Sequence, residues 1–174
     1  MDGYLANHAE LRADLLARGA RLRNSSDPEL VLHAYAQWGA DCAVRLEGEF
    51  AIALWDGRRR EAWCLRDHHG LRPLYWHADG ARLVVASEIT AVLAALPFRP
   101  GFNLGFLAEI AADIGCSADQ TMWQGIFRLT PAHVLRANAD GCRQQRYWSL
   151  PLDRRIRYAR EADYVEHYRE LLGT

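Results

Sequence analysis

The residues best able to do chemistry here are four cysteines, a few carboxylates and two adjacent histidines. Cys42, Cys64, Cys116 and Cys142 lie far apart, with no Cys-x-x-Cys pair. That spacing offers neither a zinc site nor a disulfide framework, and reduced thiols in a cytoplasmic protein are expected. His68 and His69 make a poor metal pair, because neighbouring side chains point in different directions and no third ligand is near in sequence. Ser87-Glu88 has no Gly-x-Ser-x-Gly elbow and no positioned histidine, which leaves Ser87 as a helix cap. Arg66 and Asp67 read as a buried ion pair shaping the turn before Pro73. Asp27 suits two tasks, capping a helix or receiving a ligand ammonium.

These residues need elements to hold them. Residues 7–18 read as a helix, with Asn7 as cap, Glu10 completing a capping box and Gly19 closing it. A second helix is expected over 27–38, with Ser26 and Asp27 competing as N-caps and Pro28 in the first turn. Leu30, Val31, Ala34, Tyr35 and Trp38 form its apolar face. A short helical piece, 40–46, ends at Gly48. The period then changes, and Phe50 to Trp55 is a continuous apolar run, as in a strand buried on both faces. Ala62–Leu65, Pro73–Trp76 and Leu83–Ala86 follow, and the four segments read as one antiparallel meander. Helices from Ser87 to Pro97 and from Asn103 to about Asp113 come next, then a hairpin turning at Asn138–Gly141. Trp55, Trp63, Trp76 and Trp123 follow strand patterns and read as core. Ser149–Arg157 is polar and reads as a linker, and Tyr164, Val165, Tyr168, Leu171 and Leu172 mark a final amphipathic helix.

The chain has 174 residues, half of them hydrophobic, with a formal net charge of −1. It carries 21 basic residues, all arginine, scattered along its length. Neither nucleic acid nor an anionic membrane is indicated as a partner, and no apolar run reaches the roughly 18 residues of a membrane span.

Seven segments, in order and at compatible spacing, resemble the N-terminal amidotransferase domain of the asparagine synthetase family. They are Asp2-Gly3-Tyr4-Leu5-Ala6-Asn7 with Glu10-Leu11-Arg12, Ser26-Asp27-Pro28-Glu29, Leu46 to Ala51, Arg66 to Tyr75, Ala86 to Ile89, Ile126 to His133, and Arg146-Tyr147-Trp148. The resemblance implies an α+β fold of the N-terminal-nucleophile type, antiparallel sheets layered with helices, lacking its opening strands. It also implies a division into residues 1–148, an incomplete class II amidotransferase-like domain, and 149–174, a linker and the start of a helix leading into a synthetase domain.

In that family a cysteine at the mature N-terminus attacks the side-chain amide of glutamine, with its own α-amino group as base. Asp2-Gly3 aligns with an internal family motif, so the resemblance places that cysteine upstream and implies that this polypeptide is catalytically inactive, with no catalytic residue of its own. What carries over is a remnant glutamine pocket of Asp2, Gly3 and Asp27, with weak binding of glutamine. Asp27 matches the aspartate that receives the glutamine α-amino group, and Gly3 keeps a backbone donor position. Asp2 stands where the family has an oxyanion-binding asparagine, and losing such a donor costs roughly 3–4 kcal/mol. Tyr4 replaces a substrate-contacting glutamate. Those departures bring in the lasso-peptide cyclase-like relatives, whose N-terminal domain serves as a scaffold; a stand-alone binding module is the third reading. No cofactor is expected in this chain. ATP and magnesium belong to the synthetase domain, since no Ser-Gly-Gly-x-Asp-Ser loop occurs here. Unpaired sheet edges are expected to drive homo-oligomerisation.

Overall fold

A computed structural model describes residues 1–80, 82–153 and 155–173. Arg154, inside the expected linker, and Thr174, at the end of the expected last helix, lie outside the described residues. The elements are β1 (Asp2–Leu5), α1 (His8–Ala17), α2 (Asp27–Trp38), a 3-10 segment (Gly39–Arg45), β2 (Gly48–Asp56) and β3 (Glu61–Arg66). Then come β4 (Tyr75–Ala78), β5 (Leu83–Ala86), α3 (Ile89–Ala95), α4 (Leu104–Ala111), β6 (Phe127–Arg128), β7 (His133–Asn138), β8 (Gly141–Arg146) and α5 (Glu161–Leu172).

Two antiparallel sheets form, one of order β1-β2-β3-β7-β8 and one of order β5-β4-β6. Three apolar clusters show how they are layered. Phe50, Ile52, Trp63 and Leu65 of the larger sheet pack with Leu11, Leu15, Leu30, Val31 and Ala34 of α1 and α2. Ala51, Cys64 and Leu135, on the opposite face, meet Leu74 and Leu129 with Trp76, Leu83 and Val85 of the smaller sheet. Val92 and Leu96 cover that sheet's outer face, against Tyr75, Val84 and Ala86. The order is therefore helix, sheet, sheet, helix, and β2 is buried on both faces, as its unbroken apolar run requires.

The single meander does not form. β2 pairs with β3, and β4 pairs with β5, but the two pairs belong to different sheets. The loop 67–74 between them carries the chain from one layer to the next. Its geometry is set by Arg66 and Asp67, which are both buried but serve the backbone rather than each other. Arg66 donates to the carbonyls of Arg72 (2.8 Å), Leu129 (2.7 Å) and Gly70 (2.6 Å). Asp67 accepts from the amides of His69, Leu71 and Arg72, each at 3.0 Å.

Local details also differ from expectation. Trp55 is 64% exposed; it shares a strand face with Ala51, but the smaller sheet's strands of two to four residues are too short to cover that end of β2. Ser87 does not cap α3, whose N-cap position is Glu88 and has no side-chain cap bond. Asn103 does cap α4, accepting from the Phe106 amide at 3.2 Å. Among the described residues no helix is long and apolar enough to cross a membrane.

Candidate functional site

β1 is an edge strand, antiparallel to β2, with Asp2 opposite Ala51, Gly3 opposite Phe50 and Leu5 opposite Gly48. A four-residue strand with three exposed members has little intrinsic drive to form; its backbone bonds to β2 and the burial of Leu5 hold it. Gly3 is needed there. Its φ is +101°, and a Cβ would sit 1.9 Å from the Glu49 carbonyl oxygen, so a side chain would force β1 away from β2.

Past Leu5 the chain turns into α1, and this corner is tied down from three sides. The Ala6 amide donates to the Glu47 carbonyl at 2.7 Å. The Asn7 side chain bridges the same segment, donating to the Arg45 carbonyl (2.9 Å) and accepting from the Glu47 amide (3.1 Å). It is therefore spent on tertiary structure and makes no side-chain cap bond to α1.

The third tie is Asp27. It is the first residue of α2 and does not cap that helix, because its carboxylate turns toward the β1–α1 corner. One oxygen accepts from the Leu5 amide at 2.8 Å, and the other lies 2.6 Å from His8 Nδ1. A carboxylate in that pair can only accept, so Nδ1 is the donor. Ser26 occupies the N-cap position without a side-chain cap bond. Asp27 thus sits beside β1, two residues and roughly 7 Å along the strand from Gly3. Asp2 and Tyr4 are exposed on the same strand.

His8 and Asn7 were not singled out by sequence reasoning as functional. The signal available was position: both follow a short strand directly, where side chains of the first helical turn face back toward the sheet edge.

The opposite flank of β2 bears the loop 67–72. The Asp67 amide donates to the Phe50 carbonyl at 2.9 Å, and Arg72 approaches Glu49 at 3.9 Å. His68 packs edge-on against Tyr147 and Trp148, and His69 against Trp148. Burial, reinforced by the neighbouring His69, lowers the His68 pKa below its ordinary value. Among the described residues no group of three or more His, Cys, Asp or Glu side chains could hold a metal ion.

The cysteines stand apart from β1. Cys42 and Cys64 are buried, and burial pushes each thiol up to about 12, so neither is a thiolate near neutrality. Cys142 lies on β8, the far edge of the sheet, and Cys116 follows α4. Two surface clefts lie away from β1 as well. One of about 650 Å³ runs between α2 and the end of β2, lined by Tyr35, Trp38, Trp55 and Arg59, and another of about 480 Å³ is lined by Leu93 to Arg99. Asp2, Gly3 and Asp27 line neither.

A family profile described as a glutamine amidotransferase domain matches residues 1–148. The chain belongs to that family. The domain is 35% identical over 153 residues to asparagine synthetase [glutamine-hydrolyzing] 3 of Bacillus subtilis, covering 86% of this chain and 24% of the relative. It is 31% identical over 151 residues to the amidase chyE of Penicillium rubens, covering 86% and 22%. The amidotransferase domain therefore spans about a quarter of the length of these relatives. Its fold is similar to that of glutamine phosphoribosylpyrophosphate amidotransferase from B. subtilis, with a TM-score of 0.59, 22% identity, and coverage of 85% of this chain and 28% of that one. Both sheets and their flanking helices are thus those of a class II amidotransferase domain of asparagine synthetase-like proteins.

Proposed function

We propose that this amidotransferase domain retains the amine-binding side of a glutamine site but, as this polypeptide, does not hydrolyse glutamine. Hydrolysis needs a thiolate and a base at the reacting amide. Two of the four thiols are buried and held protonated, and the others lie beyond α4 and on the opposite sheet edge. The observation that carries the reading is the placement of Asp27 at the edge of β1, fixed by Leu5 and His8. A carboxylate held in this way suits a ligand ammonium. It also has a complete structural role without one, and both its oxygens are already engaged. Glutamine binding is accordingly weak.

Asp2 favours the scaffold reading over residual catalysis, because an exposed carboxylate on β1 repels a developing oxyanion. In that reading the domain supports an amide ligase of the lasso-peptide cyclase kind, with ATP and magnesium bound by other polypeptide. The decisive experiment is ammonia release from glutamine by the 174-residue chain, together with calorimetric titration of glutamine. No ammonia above a buffer blank is expected, with weak binding that Asp27→Ala abolishes. Ammonia release blocked by a thiol-directed glutamine analogue would sink the proposal. Absence of any glutamine binding would leave the scaffold reading alone.

A further inference from the structure

A third cleft, of about 360 Å³, opens beside the β7–β8 turn and is lined by Glu61, Arg136, Asn138, Asp140, Arg143 and Gln145. The strand registers explain why these residues meet. Trp63 is opposite Arg136, and Arg136 is opposite Arg143. Residues two apart on a strand share a face. Glu61, Arg136, Asn138, Arg143 and Gln145 therefore lie on one face of β3, β7 and β8, the face on which Trp63 and Val134 join the helix-side cluster.

Arg136 and Arg143 are like charges directly across a strand pair, an arrangement that destabilises a hairpin. Arg143 is exposed, and its guanidinium has no acceptor among the described residues. Arg136 is held by Glu61, which is 5% exposed, through Nε at 3.0 Å and Nη2 at 2.9 Å. Taking such a carboxylate out of water costs about what the pair returns, so the bond is a poor source of stability. Its effect is to fix one guanidinium, with Nη1 left without an acceptor, beside a second one that is free. Amide donors flank the two. The Asn138 side-chain oxygen accepts from the Asp140 amide at 2.9 Å, which leaves its N–H groups, and the Gln145 side chain makes no hydrogen bond among the described residues. Of the two carboxylates in the cleft, Glu61 is spent on Arg136 and Asp140 sits on the exposed turn.

We propose that this face binds a small oxyanion, a carboxylate or a phosphate group, between Arg136 and Arg143, with Asn138 and Gln145 completing the donors. The planar guanidinium fork matches both groups. An anion there converts the unfavourable arginine pair into a bridged one. Glu61 orients the Arg136 fork without touching the ligand. The cleft's 360 Å³ falls in the range of small-molecule sites, which leaves room for the organic molecule that bears the anion.

The full 174-residue chain is titrated with inorganic phosphate and, separately, with acetate, at an ionic strength held constant with chloride. NMR follows the Arg136 Nε–H and the Arg143 and Gln145 amides. Saturable shifts on that face are expected with at least one anion, and which anion produces them tells which group the site takes. Arg143→Gln removes a charged donor and should weaken binding about tenfold or more. Asp140→Asn removes the uncommitted carboxylate and should tighten binding severalfold. Both residues are exposed, so neither variant should lower the melting temperature. No saturable shift with either anion overturns the proposal. Shifts that Arg143→Gln leaves at full strength overturn it too, as does an Asp140→Asn variant that binds no more tightly, because the anion would then sit outside the cleft.

Discussion

Asp27 has two acceptor oxygens and both are engaged, one by the backbone amide of Leu5 and one by His8. Leu5 is a buried residue of the helix-facing core, and its amide lies on the edge of β1 that no strand covers. Deleting the carboxylate leaves that donor without a protein partner, which costs about 1–3 kcal/mol. Asp27→Ala is therefore expected to lower stability by about 2 kcal/mol in denaturant melts. Asp27→Asn keeps an acceptor oxygen and should retain most of that. His8→Ala should cost less than Asp27→Ala, because the Leu5 amide keeps its acceptor. Equal losses in the Asn and Ala variants would show that charge, not the hydrogen bond to Leu5, is what matters at this position. The sequence marked Asp27 as a polar group at the start of a helix, suited to capping that helix or to receiving a ligand ammonium, and local rules offered no third role. The competing donors, Leu5 and His8, are 22 and 19 residues away in sequence and become neighbours only when β1 docks on β2. Asn7 was misassigned for the same reason, with its partners 38 and 40 residues away.

Elements with a strong local signal were legible. α2 runs over the expected 27–38, and the β7–β8 hairpin turns at Asn138–Gly141 with Asn138 paired to Gly141. Two kinds of feature were not. β1 has no apolar alternation of its own and exists because β2 offers it an edge. The division of four strands between two sheets depends on the loop 67–74, where an acidic and a basic side chain in sequence suggest a pair but each instead organises backbone. Gly70 is central to that loop. Its φ is +68°, and a Cβ would lie 2.6 Å from Pro131 Cγ and 2.9 Å from Arg66 Cζ. Moving Arg66 to make room would break its bonds to Gly70, Arg72 and Leu129. Gly70→Ala is thus expected to destabilise the domain by about 2–4 kcal/mol, through conformational strain added to lost buried hydrogen bonds. The check is the denaturation midpoint, with Gly80→Ala as control: Gly80 also has positive φ but meets nothing within 4 Å. A Gly70 loss no larger than the Gly80 loss would mean that the loop relaxes around the new methyl.

At the scale of the whole molecule, the domain ends its core at Tyr147, whose hydroxyl donates to the Arg66 carbonyl at 2.9 Å. Trp148, against His68 and His69, is the last aromatic contact with the loop 67–72. Beyond it, α5 is held mainly by its own approach segment: Tyr158 packs edge-on against Tyr164 and hydrogen-bonds His167, and the Tyr158 amide donates to the Tyr164 hydroxyl at 3.1 Å. No residue of α5 is buried, and Val165, Tyr168, Leu171 and Leu172 are exposed. A helix of this length with no buried residue is marginal in water, because nucleation is costly and each added residue contributes little. The aromatic contacts of Tyr158 offset part of that cost but add no burial against the sheets. Two regions of very different stability should therefore coexist in one chain. Amide hydrogen exchange is expected to be slowest in β2, β3 and β7, which pair on both sides, and to approach the unfolded rate across 161–172. Tyr158→Ala should speed exchange in α5 further while leaving the β2, β3 and β7 amides unchanged. Protection in α5 comparable to that of β3 would contradict this division, and would mean that the apolar stripe of α5 is already covered in solution.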